Sequence, residues 1–427
     1  MHVAIIGSGP AGFYTAEALA KTGAQVDIID RLPTPFGLIR AGVAPDHQSI
    51  KAVDRRYAVT AQLPGVRFVG HVEVGKDVSM AELHGLYDAV VLATGAPHDR
   101  KLGVPGEDLP GVLGSAAFVG WYNGHPDFAD LTVPLGHPGA CVVGNGNVAI
   151  DVARILAKTD AELGASDITK HTRDALEHSR ITDIHLIGRR GPYQASFTPK
   201  EMGELGHLTR AQPFVDPAHL PPLEGDAALE PGLRKTVGHL RAFAETPPQG
   251  KPIAVRFDFL TRPVAVEQHD GHLRLIVERT RLEGEAAVGT GELRAIECGL
   301  IVSCIGYRTS PIEGVPFDER AGRFPNDEGR IAEGLYATGW ARRGPSGTIG
   351  TNRPDGFAVA ARIAAEIAPS GKPGGPGLDA LLAARNVRAT CFADWQLIDA
   401  AEIAAARPGA PREKFVLRDH LLTAAGR

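Results

Sequence analysis

Two short glycine-rich runs carry the chemistry of this sequence. Residues 7–12 read Gly-Ser-Gly-Pro-Ala-Gly, and residues 144–149 read Gly-Asn-Gly-Asn-Val-Ala. Each follows an apolar stretch that predicts a strand and precedes one that predicts a helix. In that setting the glycines allow a tight turn and a close backbone approach, and the helix N-terminus offers amide donors and partial positive charge to a pyrophosphate. The first run has an acid at the end of its next strand, Asp30, close to the spacing of roughly 20 residues at which a carboxylate accepts hydrogen bonds from an adenosine ribose. The second has no acid there. Its next strand ends Gly188-Arg189-Arg190. A guanidinium matches a phosphate in charge and geometry, and a carboxylate would repel one. The second site is therefore expected to prefer the 2′-phosphate of NADP(H) over NAD(H).

The elements that position these runs can be read around them. Val3–Ile6, a helix from Phe13 to about Thr22 and the strand Gln25–Asp30 make a compact βαβ unit. Ala140–Val143, a helix to about Lys158 and Asp183–Gly188 make a second. The interval between Gly144 and Arg189 exceeds a minimal unit, so residues 159–180 are read as an added excursion. Val90–Gly95, Leu300–Gly306 and Gly334–Trp340 are further strand-to-glycine signatures. The expected fold is α/β, with two Rossmann-like dinucleotide-binding domains. The NADP domain, residues 106–324, is inserted into a discontinuous FAD domain, residues 1–105 and 325–427. Residues 208–252 read as a surface excursion of the second domain, residues 369–377 as a flexible connector, and the Ala-rich last fifty residues as helical.

Composition narrows the chemistry. At 427 residues, 43% hydrophobic and 22% charged, the chain is expected to be globular, with two or three cores. A net charge of −5 gives no drive toward nucleic acid. No apolar run of about 20 residues predicts a membrane span. The strand-like opening His2–Gly7 leaves no expected signal or transit segment, so a cytoplasmic location is expected. The four cysteines, Cys141, Cys298, Cys304 and Cys391, are scattered. That pattern predicts no disulfide framework, no metal site and no dithiol. It also cannot hold an iron–sulfur cluster, which needs about four grouped thiolates. Any cluster in the reaction must belong to a partner.

Two dinucleotides suggest an electron relay. FAD at one site and NADPH at the other set a hydride donor against a flavin that releases electrons singly. Such a protein must place nicotinamide C4 about 3–3.5 Å from flavin N5.

The longer stretches resemble the adrenodoxin reductase family of NADPH–ferredoxin reductases, over essentially the whole chain. They are residues 7–16, 35–47 (Pro-Phe-Gly-Leu-Ile-Arg-Ala-Gly-Val-Ala-Pro-Asp-His), 118–124, 144–154, 188–192 and 339–347 (Gly-Trp-Ala-Arg-Arg-Gly-Pro-Ser-Gly). The resemblance implies a ferredoxin-type iron–sulfur partner. It implies FAD contacts at Gly7, Gly9, Pro10, Ala11, Gly12, Asp30, Leu38 and Val74, with Trp340 and Gly347-Thr348-Ile349 near the isoalloxazine. For NADP it implies Gly146, Asn147, Val148, Ala149, Arg189, Arg190, Glu201 and Gly347. His47 and Glu204 match positions close to the flavin. Asp30 departs from the family's usual Glu, which shortens the ribose contact but keeps its chemistry. Phe36 and Tyr14 read as packing residues. Arg234, Lys235 and Arg241 are the expected basic patch for an acidic partner. The sequence leaves three rivals open: a reductase with a non-ferredoxin acceptor, an electron-input module like the small subunit of glutamate synthase, and a non-catalytic NADP sensor.

Overall fold

The computed structural model describes Met1–Arg427. Its chain divides into two compact units. One comprises Met1–His98, Asn123–Ala129 and Tyr307–Arg427, the other Asp99–Tyr122 and Asp130–Gly306.

The first unit is built on a six-stranded sheet, ordered Arg330–Ala332, Leu335–Ala337, Ala89–Leu92, His2–Ile6, Gln25–Ile29, Val66–Val69. All neighbours run parallel except the edge strand Arg330–Ala332. Its central strands are apolar on both faces, as expected where both are covered. Side-chain alternation sends Val3 and Ile5 into one buried cluster with Phe13, Leu19 and Tyr57. Ala4 and Ile6 enter another with Leu83, Tyr87 and Phe324. Helix Pro10–Ala20 packs on Asn352–Glu366. The contact is close because Gly356 lies against Thr15; a Cβ there would sit 2.8 Å from Thr15 Oγ1.

The second unit repeats the plan. Its parallel sheet runs Val112–Gly114, Leu300–Ser303, Gly139–Val143, Asp183–Gly188, Ile253–Phe259, Ala211–Val215. A three-stranded antiparallel sheet, Thr261–His269, His272–Glu283 and Ala286–Cys298, buries Leu273, Leu275 and Val277 beside Val143 and Ile187.

The structure departs from two expectations. Residues 208–252 are not only a surface excursion: they supply the edge strand Ala211–Val215 and helix Pro231–Glu245, which buries Val237 and Leu240. Residues 369–377 are pinned rather than free. Ser370 bonds to Asp88, Lys372 donates to the carbonyls of His84 and Tyr87, and helix Gly375–Ala384 starts within the stretch.

Candidate functional site

Parallel strands bring their carboxyl ends to one edge, and both glycine runs lie on such an edge. In the first unit Ile6 is level with Ile29 and Leu92, and Leu92 with Ala337. The residues that follow, Gly7, Asp30, Ala93 and Thr338, therefore share that edge, with Thr94 one residue further on. In the second unit Val143 is level with Ile187 and Ser303. Gly144, Gly188 and Cys304 follow in the same way.

The glycines do different work. Gly7 has φ +109°, donates its N–H to Ile29 O at 2.8 Å, and would place a Cβ 2.4 Å from Ala93 O. Gly144 matches it, with φ +148°, a 2.9 Å bond to Ile187 O and a Cβ that would lie 2.4 Å from Cys304 O. These two make the turns. The middle glycines, Gly9 and Gly146, are different, because a Cβ on either meets nothing within 4 Å. Each begins a helix that no side chain caps, Pro10–Ala20 and Asn147–Ala157. The space above them and the uncapped amides fit a pyrophosphate in each unit. At the third position the units diverge. A Cβ on Gly12 would lie 2.1 Å from Gly7 O, so that helix hugs its strand, whereas the second unit accommodates Ala149, fully buried.

Asp30 ends the second strand as expected. Its carboxylate accepts from Ser8 N–H (2.8 Å), Ser8 Oγ (2.6 Å) and Leu32 N–H (2.9 Å). Ser8 is fully buried and was not singled out from the sequence; its place inside the motif was the available signal. Phe36 donates its N–H to Ser8 O, and Gly37 approaches Gly9 so closely that a Cβ would lie 2.9 Å from Gly9 Cα. Phe36 holds φ +83°, a strained value for a side-chain-bearing residue. Its ring is locked among Phe13, Tyr57 and Trp395. Tyr14 joins this cluster edge-on to Tyr57, so both aromatics pack as expected. Leu38 opens a short helix and is 46% exposed, an uncovered apolar surface beside the Gly37 turn. Val74 is half-buried and bridges to Val78.

The loop after Leu335–Ala337 is held by a residue the sequence reading missed. Buried Asp355 accepts from Gly339 N–H and from the guanidinium groups of Arg342 and Arg343. Trp340 Nε1 donates to Ser346 O at 3.1 Å, and its ring stacks on Tyr307. Gly347 has φ +84°, and Thr348 O accepts from Thr351, so residues 344–350 form an ordered, largely exposed turn. The buried Oγ1 atoms of Thr94 and Thr338 have no partner, which fits an edge meant to receive a polar ligand. His47 is buried and its carbonyl accepts from Ile50 and Lys51.

In the second unit Asn145 lies over Gly188, where a Cβ would sit 1.9 Å from Asn145 Nδ2. Asn147 Oδ1 accepts from Thr198 N–H at 2.8 Å, tying the glycine turn to helix Pro199–Gly206. Val148 is half-buried in the first turn of its own helix. Arg189 is exposed and Arg190 half-exposed, and neither guanidinium meets a carboxylate. Their carbonyls are fixed by Thr280 Oγ1 (2.7 Å) from the antiparallel sheet and by Leu260 N–H (3.2 Å) just before it. Glu201 is buried in the first turn of Pro199–Gly206, and Glu204 pairs with buried Arg154 at 3.2 Å. Gly347, read for both cofactors, belongs to the first unit, and the other residues read for NADP belong to the second. A hydrogen bond with Cys298 and burial push the Cys141 thiol well above its ordinary value, which leaves it no thiolate character.

Of the basic patch, Arg234 and Lys235 are exposed on helix Pro231–Glu245, but Arg241 is bound by Asp226 through two bonds of 2.6 and 2.7 Å. That ion pair takes Arg241 out of the expected patch. No helix is long and apolar enough to cross a membrane.

Two glycine cradles on separate nucleotide-type sheets define a two-dinucleotide oxidoreductase, and residues 1–196 match the family described as pyridine nucleotide-disulphide oxidoreductase. The chain is 42% identical to the mitochondrial NADPH:adrenodoxin oxidoreductase of Homo sapiens, over 100% of this chain and 92% of that protein. It is 39% identical to the NADPH-ferredoxin reductase FprA of Mycobacterium tuberculosis, over 99% of this chain and 98% of that one. The structure of M. tuberculosis FprA in complex with NADPH superposes with a TM-score of 0.94 at 38% identity, covering 100% of this chain and 99% of that chain. The chain belongs to the adrenodoxin reductase family of NADPH–ferredoxin reductases.

Proposed function

We propose that this protein passes electrons from NADPH, through FAD, to a ferredoxin-type iron–sulfur protein. The observation that carries this reading is the pair of matched cradles: Gly9 and Gly146 open to space above uncapped helices, with an unpaired arginine couple beside the second alone. FAD held by the first unit would supply the conversion of a two-electron hydride into single electrons, which suits a one-electron acceptor.

The chain's own residues bind and position. Gly7, Gly9 and Gly12 let the first-unit backbone approach the FAD pyrophosphate, where Pro10 and Ala11 begin the helix. Asp30 holds Ser8 through Oδ2 and keeps a lone pair on Oδ1 for a ribose hydroxyl. Leu38, Val74, Trp340 and the turn Gly347-Thr348-Ile349 are proposed to line the FAD site, and His47 to lie near the flavin. Gly146, Asn147, Val148, Ala149, Glu201 and Gly347 are proposed for NADP, with Arg189 and Arg190 on the 2′-phosphate. Glu204 is proposed near the flavin too, with its pairing to Arg154 available to hold it in place. FAD is assigned to the first unit and NADP to the second, so the expected boundaries at 105/106 and 324/325 move to 98/99 and 306/307, and Asn123–Ala129 joins the first unit. A cytoplasmic location belongs to the same reading, supported by four unpaired cysteines, as expected in a reducing compartment.

The test is NADPH-dependent cytochrome c reduction by the yellow, FAD-loaded protein, with and without added ferredoxins. Turnover should rise steeply with a ferredoxin present. Colourless protein, or turnover indifferent to every ferredoxin offered, would reject the proposal.

A further inference from the structure

Far from the glycine runs in sequence, the antiparallel sheet of the second unit gathers two histidines and a glutamate. Strands Thr261–His269 and His272–Glu283 are joined by a two-residue turn, Asp270-Gly271. Both turn residues have positive φ, +47° and +82°, the geometry an Asp-Gly hairpin adopts. The turn sets His269 opposite His272. Residues two apart on a strand share a face, so Arg274 lies on the face of His272. Glu297 is level with Arg274 on the next strand and shares that face. The other face holds Leu273 and Leu275 in the core, which fixes the register.

The side chains converge accordingly. One ligand atom from each of His269, His272 and Glu297 lies within 4.8 Å of the others. His272 Nε2 is 2.7 Å from Glu297 Oε2, while Arg274 Nε donates to the other oxygen, Oε1, at 2.7 Å. One Arg274 nitrogen is 3.0 Å from both ring nitrogens of His269. It cannot lie in the ring plane at that distance without striking the carbon between them. The guanidinium therefore covers the ring face, and the in-plane lone pair stays available. The His137 ring stacks on His272 at 4.8 Å, with His137 Nδ1 held by Gly139 N–H, so the His272 ring is oriented from behind.

We propose that His269, His272 and Glu297 form a binding site for one divalent transition-metal ion of the zinc type on this sheet. Two imidazoles and a carboxylate are a zinc donor set, with a fourth position for water. Bonds of about 2.0–2.1 Å in tetrahedral geometry separate ligand atoms by about 3.3 Å. That value lies between the 2.7 Å His272–Glu297 contact and the 4.8 Å limit of the cluster, so rotamer adjustments suffice. The ion would replace one hydrogen bond and tie all three strands together.

The experiment is a zinc titration of the chelator-stripped, FAD-loaded protein, followed by calorimetry and metal analysis. One Zn²⁺ per chain is expected. Affinity should fall by at least about tenfold in His272→Gln and in His269→Gln, as loss of a direct ligand requires. FAD content and NADPH–ferricyanide turnover should stay unchanged in both, which separates ligand loss from misfolding. With Cu²⁺ as a paramagnetic probe, coupling to two imidazole nitrogens should appear. Absence of zinc uptake by the wild type, or undiminished uptake by the His269→Gln/His272→Gln double variant, would overturn the site and leave the cluster a histidine–glutamate ion pair.

Discussion

Replacing Arg189 and Arg190 together by Ala tests where the 2′-phosphate is read. Neither guanidinium is neutralised by a carboxylate, so their removal breaks no ion pair within the protein and leaves no carboxylate stranded. The loop should keep its course, because Thr280 Oγ1 and Leu260 N–H hold the two carbonyls, which the substitution does not touch. The measured loss is then that of the phosphate contact alone. A charge-assisted hydrogen bond contributes roughly 1.5–3 kcal/mol. Two guanidiniums on one phosphate do not add fully, so about 3 kcal/mol is a fair total. At about 1.4 kcal/mol per tenfold, NADPH affinity should fall by about two orders of magnitude. The assay is the dissociation constant for NADPH by calorimetry, beside steady-state KM for NADPH and NADH with ferricyanide. NADH has no group at this position, so its kinetics should barely move. FAD content should be unchanged, because the first glycine cradle is in the other unit. A double variant that keeps its NADPH preference would show that these arginines are solvated surface charges. Parallel loss of NADH turnover would mean that the pair supports the fold or the shared pyrophosphate site.

Gly9→Ala should fold yet lose FAD, and Gly146→Ala should keep FAD yet bind NADPH at least about tenfold more weakly, because both Cβ atoms enter open space that a pyrophosphate needs. Gly12→Ala, whose Cβ would strike Gly7 O, should fail to give folded protein; a soluble, FAD-replete Gly12→Ala would contradict the steric reasoning. Replacing all four cysteines by Ala should preserve NADPH–ferricyanide turnover in folded, FAD-replete protein, and its loss would implicate a thiol in the relay. Ferredoxin-dependent turnover should fall with rising salt while ferricyanide turnover changes less, and Arg234→Glu/Lys235→Glu should mimic the effect; equal salt sensitivity of both activities removes the case for steering. Burial holds His125 down to about 4, and its Nδ1 accepts from Asp127 N–H, so it is neutral when folded. The unfolded chain binds that proton below about 6.5, so stability should fall as pH drops from about 6.5 toward 4, by up to about 3 kcal/mol, and His125→Asn should flatten this slope in denaturant titrations.

Why some of this was readable in the sequence and some was not has a physical explanation. Glycine runs, the strands before them and the acid or arginines after the second strand are selected by local backbone geometry, so they show in one short window. Asp30, Arg189 and Arg190 all stand at strand ends, as the windows implied. The strand Ala211–Val215 was hidden by Pro213, which cannot donate to a ladder and normally argues against a strand. It is tolerated because that strand is an edge, paired only with Ile253–Phe259. Asp355 was hidden for another reason. Its partners Gly339, Arg342 and Arg343 precede its helix, and nothing local marks a carboxylate as the anchor of a loop. Ser370 and Lys372 likewise owe their order to Asp88, His84 and Tyr87, far away in the chain. Even within the motifs the sequence shows less than it seems to. Gly7, Gly9 and Gly12 are the same letter, yet the first must turn beside Ala93 O, the third must touch Gly7 O, and only the second opens to space. Composition records that a side chain is missing. Only the neighbours show whether its place is taken by the protein's own backbone or reserved for a ligand, and that difference separates a glycine needed for folding from one needed for binding.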